Sequence, residues 1–259
     1  MTDPMTPTDP ALRRDYPRST WTRLGMIVPS SNTVLEPYTA AMLRPLGDSV
    51  TAHFARLKVT EISLSGASKD QFGDAAQLAA AAQLAEAFCD VIAWNGTSGS
   101  WLGLAGEEEM VARMEAATGA RATTTSLAFR EAYGVFGAKR IGLVTPYLAE
   151  VQEKITANYA VSGLTVVSEE HLEDPGNFTF AEYSDTLVAD LVRRAAEAKP
   201  DAIAIVCTNF RGTRHVAALE AELGIPVLDS IAVTLWQCLR LAGIDTAPLG
   251  AEGRLFEAG

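Results

Sequence analysis

The sequence predicts an α/β protein with two pseudo-symmetric parallel-sheet domains and an active site in the cleft between them. Short apolar segments of strand length alternate with longer segments whose apolar residues recur at helical spacing. That alternation is typical of small parallel sheets covered by helices. Landmarks of the first half also recur, in the same order, in the second half. The two observations together indicate an internal duplication.

The first half is predicted to contain four strands that alternate with four helices. The strands are short apolar runs, and the helices have apolar residues near helical spacing. Three acidic residues begin the third helix, where the helix dipole favours negative charge. In chain order, strand and helix alternate as Arg23–Val28, Thr33–Leu43, Val50–Val59, Asp74–Phe88, Asp90–Trp94, Glu107–Ala117, Gly119–Thr123 and Ser126–Phe136.

The second half restarts this pattern. A strand that begins at Arg140 is followed by helix Leu148–Tyr159, strand Leu164–Ser168, helix Phe180–Glu197, strand Asp201–Val206, strand Gly224–Leu228 and helix Ile231–Ala242. Three landmarks recur at nearly constant offsets of 117, 111 and 105 residues: Arg23 and Arg140, Asp90 and Asp201, and Gly119 and Gly224.

The repeat also suggests how the chain divides. Residues 1–20 are predicted to form a mobile tail, since they carry no apolar segment that would make a core or a secretory signal. Residues 21–125 plus 232–259 are predicted to form the first domain, and residues 126–231 the second. The final helix has no strand after it, so we expect it to pack back on the first half.

Composition limits the classes of function. A formal charge of −11 argues against binding to nucleic acid, which needs concentrated Lys and Arg. No apolar run approaches the roughly 20 residues of a membrane span. Three cysteines in no metal-like spacing and three isolated histidines indicate a reducing compartment and no metal site. The sequence therefore predicts a cytoplasmic protein without a metal, with neither nucleic acid nor membrane as a partner.

Four loops follow predicted strands and are expected to point into the cleft: residues 29–32, 96–100, 145–147 and 207–212. The segments Gly96-Thr97-Ser98 and Cys207-Thr208-Asn209 occupy matching positions in the repeat. Hydroxyls and backbone N–H groups at helix starts can hold a carboxylate, or the enediolate formed from it. The alternative is that Thr97, Ser98 and Thr208 only cap the following helices.

Cys207 is the strongest single candidate for chemistry. A thiol at a strand end that precedes a helix is expected to have a lowered pKa and to act as an acid, a base or a nucleophile. The alternative is a small buried hydrophobe, which describes most free cysteines. Cys89 and Cys238 fit that alternative, because both lie within apolar helical patterns.

At this point a family resemblance becomes visible. The segments Gly25-Met-Ile-Val-Pro-Ser-Ser-Asn32, Gly96-Thr97-Ser98 and Pro146-Tyr147, with the strand-end Cys207, resemble the maleate isomerase/arylmalonate decarboxylase group of the aspartate/glutamate racemase superfamily. The resemblance runs from about Arg23 to Phe256. It implies two pseudo-symmetric α/β domains around one site that uses no cofactor.

The resemblance assigns roles that differ between subgroups. Superfamily members typically carry a cysteine at both matching strand ends, and in maleate isomerases the first thiol is thought to add to the double bond. This chain has Gly96 there, as arylmalonate decarboxylases do, and those enzymes retain the second cysteine, here Cys207, as proton donor. Asn32 matches the isomerase motif, and Asn177 falls near an isomerase substrate contact. Tyr147 is shared by both subgroups.

Two of these assignments have simpler alternatives. Asn32 is also a typical helix N-cap, and Asn177 is also a typical turn residue.

We therefore expect a cofactor-independent decarboxylase of a substituted malonate or related small carboxylic acid. Thr97, Ser98, Tyr147 and Thr208 would hold one carboxylate and the enediolate, the departing carboxylate would face Leu102 or Phe210, and Cys207 would deliver the proton. The alternatives are a cis–trans isomerase or racemase of a small dicarboxylic or amino acid, and a non-catalytic small-acid-binding protein. A homodimer or homotetramer is expected.

Overall fold

The computed structural model describes residues 20–59, 62 and 74–258. Within them, eight strands form two four-stranded sheets in which every strand pair is parallel. The strands are β1 (Thr22–Pro29), β2 (Val50–Leu57), β3 (Val91–Trp94), β4 (Arg121–Thr124), β5 (Arg140–Val144), β6 (Thr165–Glu170), β7 (Ala202–Ile205) and β8 (Val227–Asp229).

Helices connect the strands. The α-helices are α1 (Leu35–Met42), α2 (Asp74–Glu86), α3 (Gly99–Leu102), α4 (Leu104–Thr118), α5 (Thr125–Phe136), α6 (Ala149–Val161), α7 (Asp185–Ala196), α8 (Val216–Leu223) and α9 (Ser230–Ala242). Short 3₁₀ helices lie at Arg44–Ser49, Thr179–Glu182, Thr213–His215, Ala247–Glu252 and Arg254–Phe256. No helix among the described residues is long and apolar enough to cross a lipid bilayer.

The two sheets have the same topology. Their strand orders are β2-β1-β3-β4 and β6-β5-β7-β8, so the second sheet repeats the first with each strand replaced by its counterpart four places later. The central strands β3 and β7 are buried along their whole length, as expected for parallel strands covered by helices on both faces. The predicted fold class, two parallel-sheet α/β domains related by duplication, is confirmed.

The repeated aspartates have a structural role at the start of each central strand. Asp90 Oδ2 accepts the Arg23 backbone N–H at 2.7 Å. Asp201 Oδ2 accepts the N–H groups of Lys139 and Arg140 at 2.9 and 2.8 Å, and these bonds lower the pKa of Asp201. Each aspartate therefore ties the first strand of its sheet to the third, at the edge opposite the strand carboxyl ends.

Two helices differ from their predicted bounds by more than two residues, and helix α8 was not predicted. The predicted helix Phe180–Glu197 is interrupted, because Tyr183 and Ser184 are extended and the Ser184 side chain caps α7 by accepting the Leu187 N–H. The helix expected from Glu107 begins at Leu104 instead. It is preceded by the single turn α3, from which Gly103 separates it with a φ of 108°.

The last long helix crosses from one half of the sequence to the other. α9 follows β8 of the second sheet, but it packs on α5 and on strands β3 and β4 of the first. The Thr234 and Thr125 hydroxyls, 2.8 Å apart, join α9 to α5. The division at residues 125/126 and 231/232 stays a prediction, and the predicted mobile tail lies outside the described residues except for Thr20.

Candidate active site

The carboxyl ends of the central strands in the two sheets meet at one junction. Thr97 Oγ1, just after β3, lies 2.7 Å from the Tyr147 hydroxyl, which follows β5 in the other sheet. Asn32 Nδ2, after β1, donates to Thr208 Oγ1, after β7, at 3.1 Å. The structure thus brings predicted site residues of both halves into direct contact, and each half contributes one residue to each pair.

Thr97, Tyr147 and Cys207 lie side by side. The Tyr147 hydroxyl bonds to Thr97 and is close enough to the Cys207 thiol that each group shifts the pKa of the other. The rings of Trp101 and Phe180 hold the Tyr147 ring edge-on, at centroid distances of 5.3 and 5.6 Å. Burial is the main reason that the pKa of Tyr147 lies well above its usual value. Tyr147 is therefore a fixed neutral donor beside the thiol.

The Cys207 thiol is buried and protonated. Burial raises the pKa of Cys207 to about 12, the charges of Asp229 and Asp174 raise it further, and bonds from the Asn209 backbone and Tyr147 lower it. The expected lowered pKa is therefore wrong. The physical reason is that no helix begins at the thiol, since α8 starts only at Val216. Cys207 therefore carries its proton at neutral pH and can act as a proton donor.

The matching strand end in the first half has no room for a side chain. A Cβ atom added to Gly96 would lie 2.1 Å from Trp94 Cζ2, far inside van der Waals contact. The Trp94 side chain is almost fully buried, and its indole Nε1 donates to Ser98 Oγ at 3.1 Å. The Trp94 ring therefore covers Gly96.

The Ser98 hydroxyl is occupied within the protein. It accepts from the Trp94 indole and lies 3.3 Å from Glu107 Oε1, to which it donates. Burial raises the pKa of Glu107 to about 7, although bonds from Thr124, Ser98 and the Gly99 backbone lower it. The sequence alone indicates for Glu107 only a charge favoured at a helix N-terminus. Its burial depends on Gly99, where a Cβ would lie 2.4 Å from the Glu107 carboxyl carbon.

Asn32 and Thr208 join the two halves. The Thr208 hydroxyl accepts from Asn32 and donates to the Asn95 carbonyl at 3.2 Å. Asn32 Oδ1 accepts the N–H groups of Val34 and Leu35, at 3.0 and 2.9 Å, at the start of α1. The N-cap alternative for Asn32 thus describes its oxygen, while its nitrogen bridges to Thr208.

Asn177 lies beside Asn209, a residue that sequence reasoning did not select. Asn209 Nδ2 donates to the Asn177 carbonyl at 2.6 Å, and Asn209 Oδ1 accepts the Thr33 N–H at 2.9 Å. The Asn177 amide donates to the Val59 carbonyl at 3.2 Å. The signal for Asn209 was available, since it follows Cys207-Thr208 directly and matches Ser98 in the repeat.

Asp229 was also missed. It ends β8, and its Oδ1 accepts from Thr213 Oγ1 at 2.7 Å and from the Ile231 and Ala232 N–H groups at 2.9 and 3.3 Å. Its Oδ2 is buried without a hydrogen-bond partner among the described residues. Burial raises the pKa of Asp229 to about 6. Only its position at a strand end hinted at a role.

Other candidates lie away from this junction. Cys89 and Cys238 are buried, and burial raises their pKa values to about 11 and 12, as expected for small core residues. Leu102, one of the two expected apolar walls, is 46% exposed, whereas Phe210 is fully buried. Within the described residues no group of three His, Cys, Asp or Glu side chains is placed to hold a metal ion.

Comparison with known proteins agrees with the resemblance read from the motifs. A family model described as arylmalonate decarboxylase matches residues 24–256. Arylmalonate decarboxylase of Bordetella bronchiseptica is 31% identical over 170 residues, covering 64% of this chain and 71% of that protein. Maleate isomerase of Geobacillus stearothermophilus is 26% identical over 237 residues, covering 86% and 93%.

A solved structure shares the fold. A cysteine-to-serine mutant of Nocardia farcinica maleate cis-trans isomerase, with a covalently bound succinylcysteine intermediate, superposes with a TM-score of 0.83. It is 23% identical in sequence and covers 91% of this chain and 98% of its own. Similar proteins thus include enzymes of two reaction classes.

Proposed function

The chain belongs to the arylmalonate decarboxylase family and is an enzyme, a decarboxylase or isomerase of small acids, and we propose that it decarboxylates a substituted malonate. No cofactor takes part in the proposed reaction. Cys207 delivers the proton that replaces the lost carboxylate. Because the chain is an enzyme, the alternative of a non-catalytic small-acid-binding protein is excluded.

The observation that carries this proposal is the asymmetry between the two strand ends. Cys207 stands at one of them with a thiol that burial keeps protonated. The other is Gly96, and the Trp94 ring occupies the space that a side chain there would need. Proton exchange between two opposed thiols is therefore unsupported here, whereas delivery from one side needs only Cys207.

Thr97 and Tyr147 form the proposed donor pair for the substrate carboxylate that becomes the enediolate, since one of their two hydroxyl protons lies in the bond between them and the other is left for the substrate. Their hydroxyls lie 2.7 Å apart in a buried environment, where fixed donors stabilise developing negative charge much better than water does. The Thr208 proton, in contrast, is engaged by Asn95, so we propose that Thr208 and Asn32 hold the junction together. Phe210, rather than Leu102, is the proposed apolar wall.

The chemical step balances without another reactant. The bond between the α-carbon and one carboxylate breaks, CO2 leaves, and the electron pair stays as the enediolate of the remaining carboxylate. The α-carbon then takes the proton of the Cys207 thiol. The Asn209 backbone N–H stabilises the resulting thiolate, because its bond lowers the pKa of Cys207. A proton from water restores the thiol.

A cis–trans isomerase is the second candidate, because maleate isomerases are among the relatives. The succinylcysteine in the Nocardia farcinica enzyme shows a thiol bound covalently to substrate in that protein. Here the raised pKa of Cys207 disfavours the thiolate that such an addition needs. The isomerase is therefore the weaker proposal.

A substrate panel in D2O, followed by NMR, tests the proposal. The panel contains phenylmalonate, methylmalonate, maleate and aspartate. We expect CO2 release from a malonate with one deuterium at the α-carbon of the product, and no fumarate from maleate. Formation of fumarate without CO2 release from any malonate would select the isomerase instead. Light scattering on the same sample tests the predicted dimer or tetramer.

A further inference from the structure

Ser98 lies between two partners that constrain its proton. Its oxygen accepts the Trp94 indole N–H at 3.1 Å, and Glu107 Oε1 lies 3.3 Å away on another side. A serine hydroxyl has one proton and two lone pairs. Since the indole can only donate, the protonation state of Glu107 determines how the remaining lone pair and the proton are used.

The ionised and protonated states of Glu107 orient the Ser98 hydroxyl in opposite ways. An ionised carboxylate has no proton, so it can only accept, and Ser98 must donate to it. A protonated carboxyl can donate to Ser98, and the two lone pairs are then filled by Glu107 and Trp94. The Ser98 hydroxyl proton then no longer points to Glu107 and is free to donate to a third group. Ser98 directly follows Thr97, one of the proposed enediolate donors, in the loop after β3.

We propose that Glu107 is a positioning residue that decides whether Ser98 is a hydrogen-bond donor at the strand junction. Protonated Glu107 frees the Ser98 proton, and ionised Glu107 retains it. Only the consequence for reaction rate rests on the proposed decarboxylation. The link between Glu107, Ser98 and Trp94 stands without it.

The surroundings of Glu107 make both states accessible near neutral pH. Burial raises its pKa to about 7, whereas Thr124 at the end of β4, Ser98 and the Gly99 backbone lower it. Among the described residues Ser98 bonds to Glu107 Oε1, and Oε2 is buried without a hydrogen-bond partner. Gln77 faces the same space from α2 and is uncharged.

The nearby described charges are engaged elsewhere. Glu108 pairs with Arg130 of α5 at 2.6 Å, Glu109 lies 4.0 Å from Arg113, and Glu115 accepts the Ala122 N–H. Burial therefore remains the main influence on the pKa of the Glu107 carboxyl.

A small pocket gives this carboxyl a path for protons. Its volume is about 140 Å³, and Ser98, Gly103, Glu107 and Met110 contribute to its lining. A water molecule takes up about 30 Å³ of liquid, so the pocket has room for several. Leu102 and Gly106, which also line it, are exposed and connect it with the surface.

The direct test follows the Trp94 indole N–H by NMR between pH 5.5 and 8.5, with its resonance assigned from Trp94→Phe. We expect the resonance to shift with a midpoint of about 7, because its acceptor Ser98 changes partner. Glu107→Gln should abolish the shift, since an amide does not titrate. Glu108→Gln, on the exposed side of the same helix, should leave it intact. An indole that does not shift, or that still shifts in Glu107→Gln, would overturn the proposal.

The rate test uses the same variants with a malonate that the enzyme turns over. A decrease of about tenfold from pH 6 to pH 8 is expected when one carboxyl with a pKa of about 7 must be protonated. This decrease should disappear in Glu107→Gln and in Ser98→Ala, and Ser98→Ala should also be slower at pH 6. Persistence of the decrease in Glu107→Gln would refute the proposal even if decarboxylation is confirmed. A titrating indole with no malonate turned over would instead refute only the proposed function.

Discussion

The two matching strand ends of this duplicated fold have diverged in opposite ways. At the end of β3 the Trp94 ring lies over Gly96, so that strand end carries an indole and three small residues. In β7 the residue that matches Trp94 is the last one, Ile205, and after the strand Cys207 presents a buried thiol. Symmetry supplies two similar positions, and their side chains divide the work. In the proposed mechanism, one end stabilises the developing negative charge and the other delivers a proton.

The largest expected effect comes from removing the thiol. Cys207→Ala should lower kcat for the decarboxylated malonate by about 10³-fold or more, because general acid catalysis contributes up to about 10⁴-fold. Cys89→Ala is the matched control, since Cys89 is also buried but lies at the other edge of its sheet, and it should keep the wild-type rate. Steady-state CO2 release measures both. An unchanged rate in Cys207→Ala would remove the asymmetry from the mechanism.

Removing a donor from the other side should cost less. Tyr147→Phe is expected to lower kcat by about 10²-fold, the usual loss for one oxyanion donor. Thr97→Val should behave similarly. Because their hydroxyls share one 2.7 Å bond, the double variant should lose less than the product of the two single losses. Fully multiplicative losses would show that the two hydroxyls act independently.

Two buried carboxyls, those of Glu107 and Asp229, should make the free energy of unfolding depend on pH. The pKa of Glu107 is raised from 4.5 to about 7, and that of Asp229 from 3.8 to about 6, so the folded state holds protons that the unfolded state has released. Their stabilisation is therefore complete at low pH and is lost as pH rises through the raised values. Each contributes a change of about 3 kcal/mol.

Urea unfolding of wild type, Glu107→Gln and Asp229→Asn at several pH values checks this dependence. Glu107→Gln should remove the loss of stability that continues up to about pH 7. Asp229→Asn should remove the loss of stability that ends near pH 6. If either variant keeps the wild-type slope in its own interval, the pKa assigned to that carboxyl is wrong.

Restoring symmetry should cost stability rather than add chemistry. Gly96→Cys forces a Cβ against the Trp94 ring, and overpacking of this kind costs about 1–3 kcal/mol. The single variant should unfold at lower urea and show no α-proton exchange on the product acid. Adding Trp94→Leu makes space, and only the double variant is expected to exchange that proton in D2O. Exchange in Gly96→Cys alone would show that Trp94 moves aside readily.

The sequence was sufficient for the fold and for the main members of the junction. Alternating patterns and a repeated aspartate predicted two like sheets, and polar residues after apolar runs predicted which loops meet. The sequence was not sufficient to predict features that depend on the orientation of a ring or on packing between distant segments. The Trp94 ring covers Gly96 only in three dimensions, and Glu107 resembled an exposed helix-start acid because its burial requires contact with Gly99. The low pKa expected of Cys207 failed for the same reason, since it assumed a helix directly behind the thiol.

The path of α9 has a consequence for how this enzyme can move and unfold. The helix leaves the second sheet and lies on the first, so the chain joins the two halves twice, between α5 and β5 and between β8 and α9. In a hinge rotation of one half against the other, α9 would move with β3 and β4, and the chain would bend at the connection between β8 and α9. The two halves are expected to denature together, as a single cooperative unit.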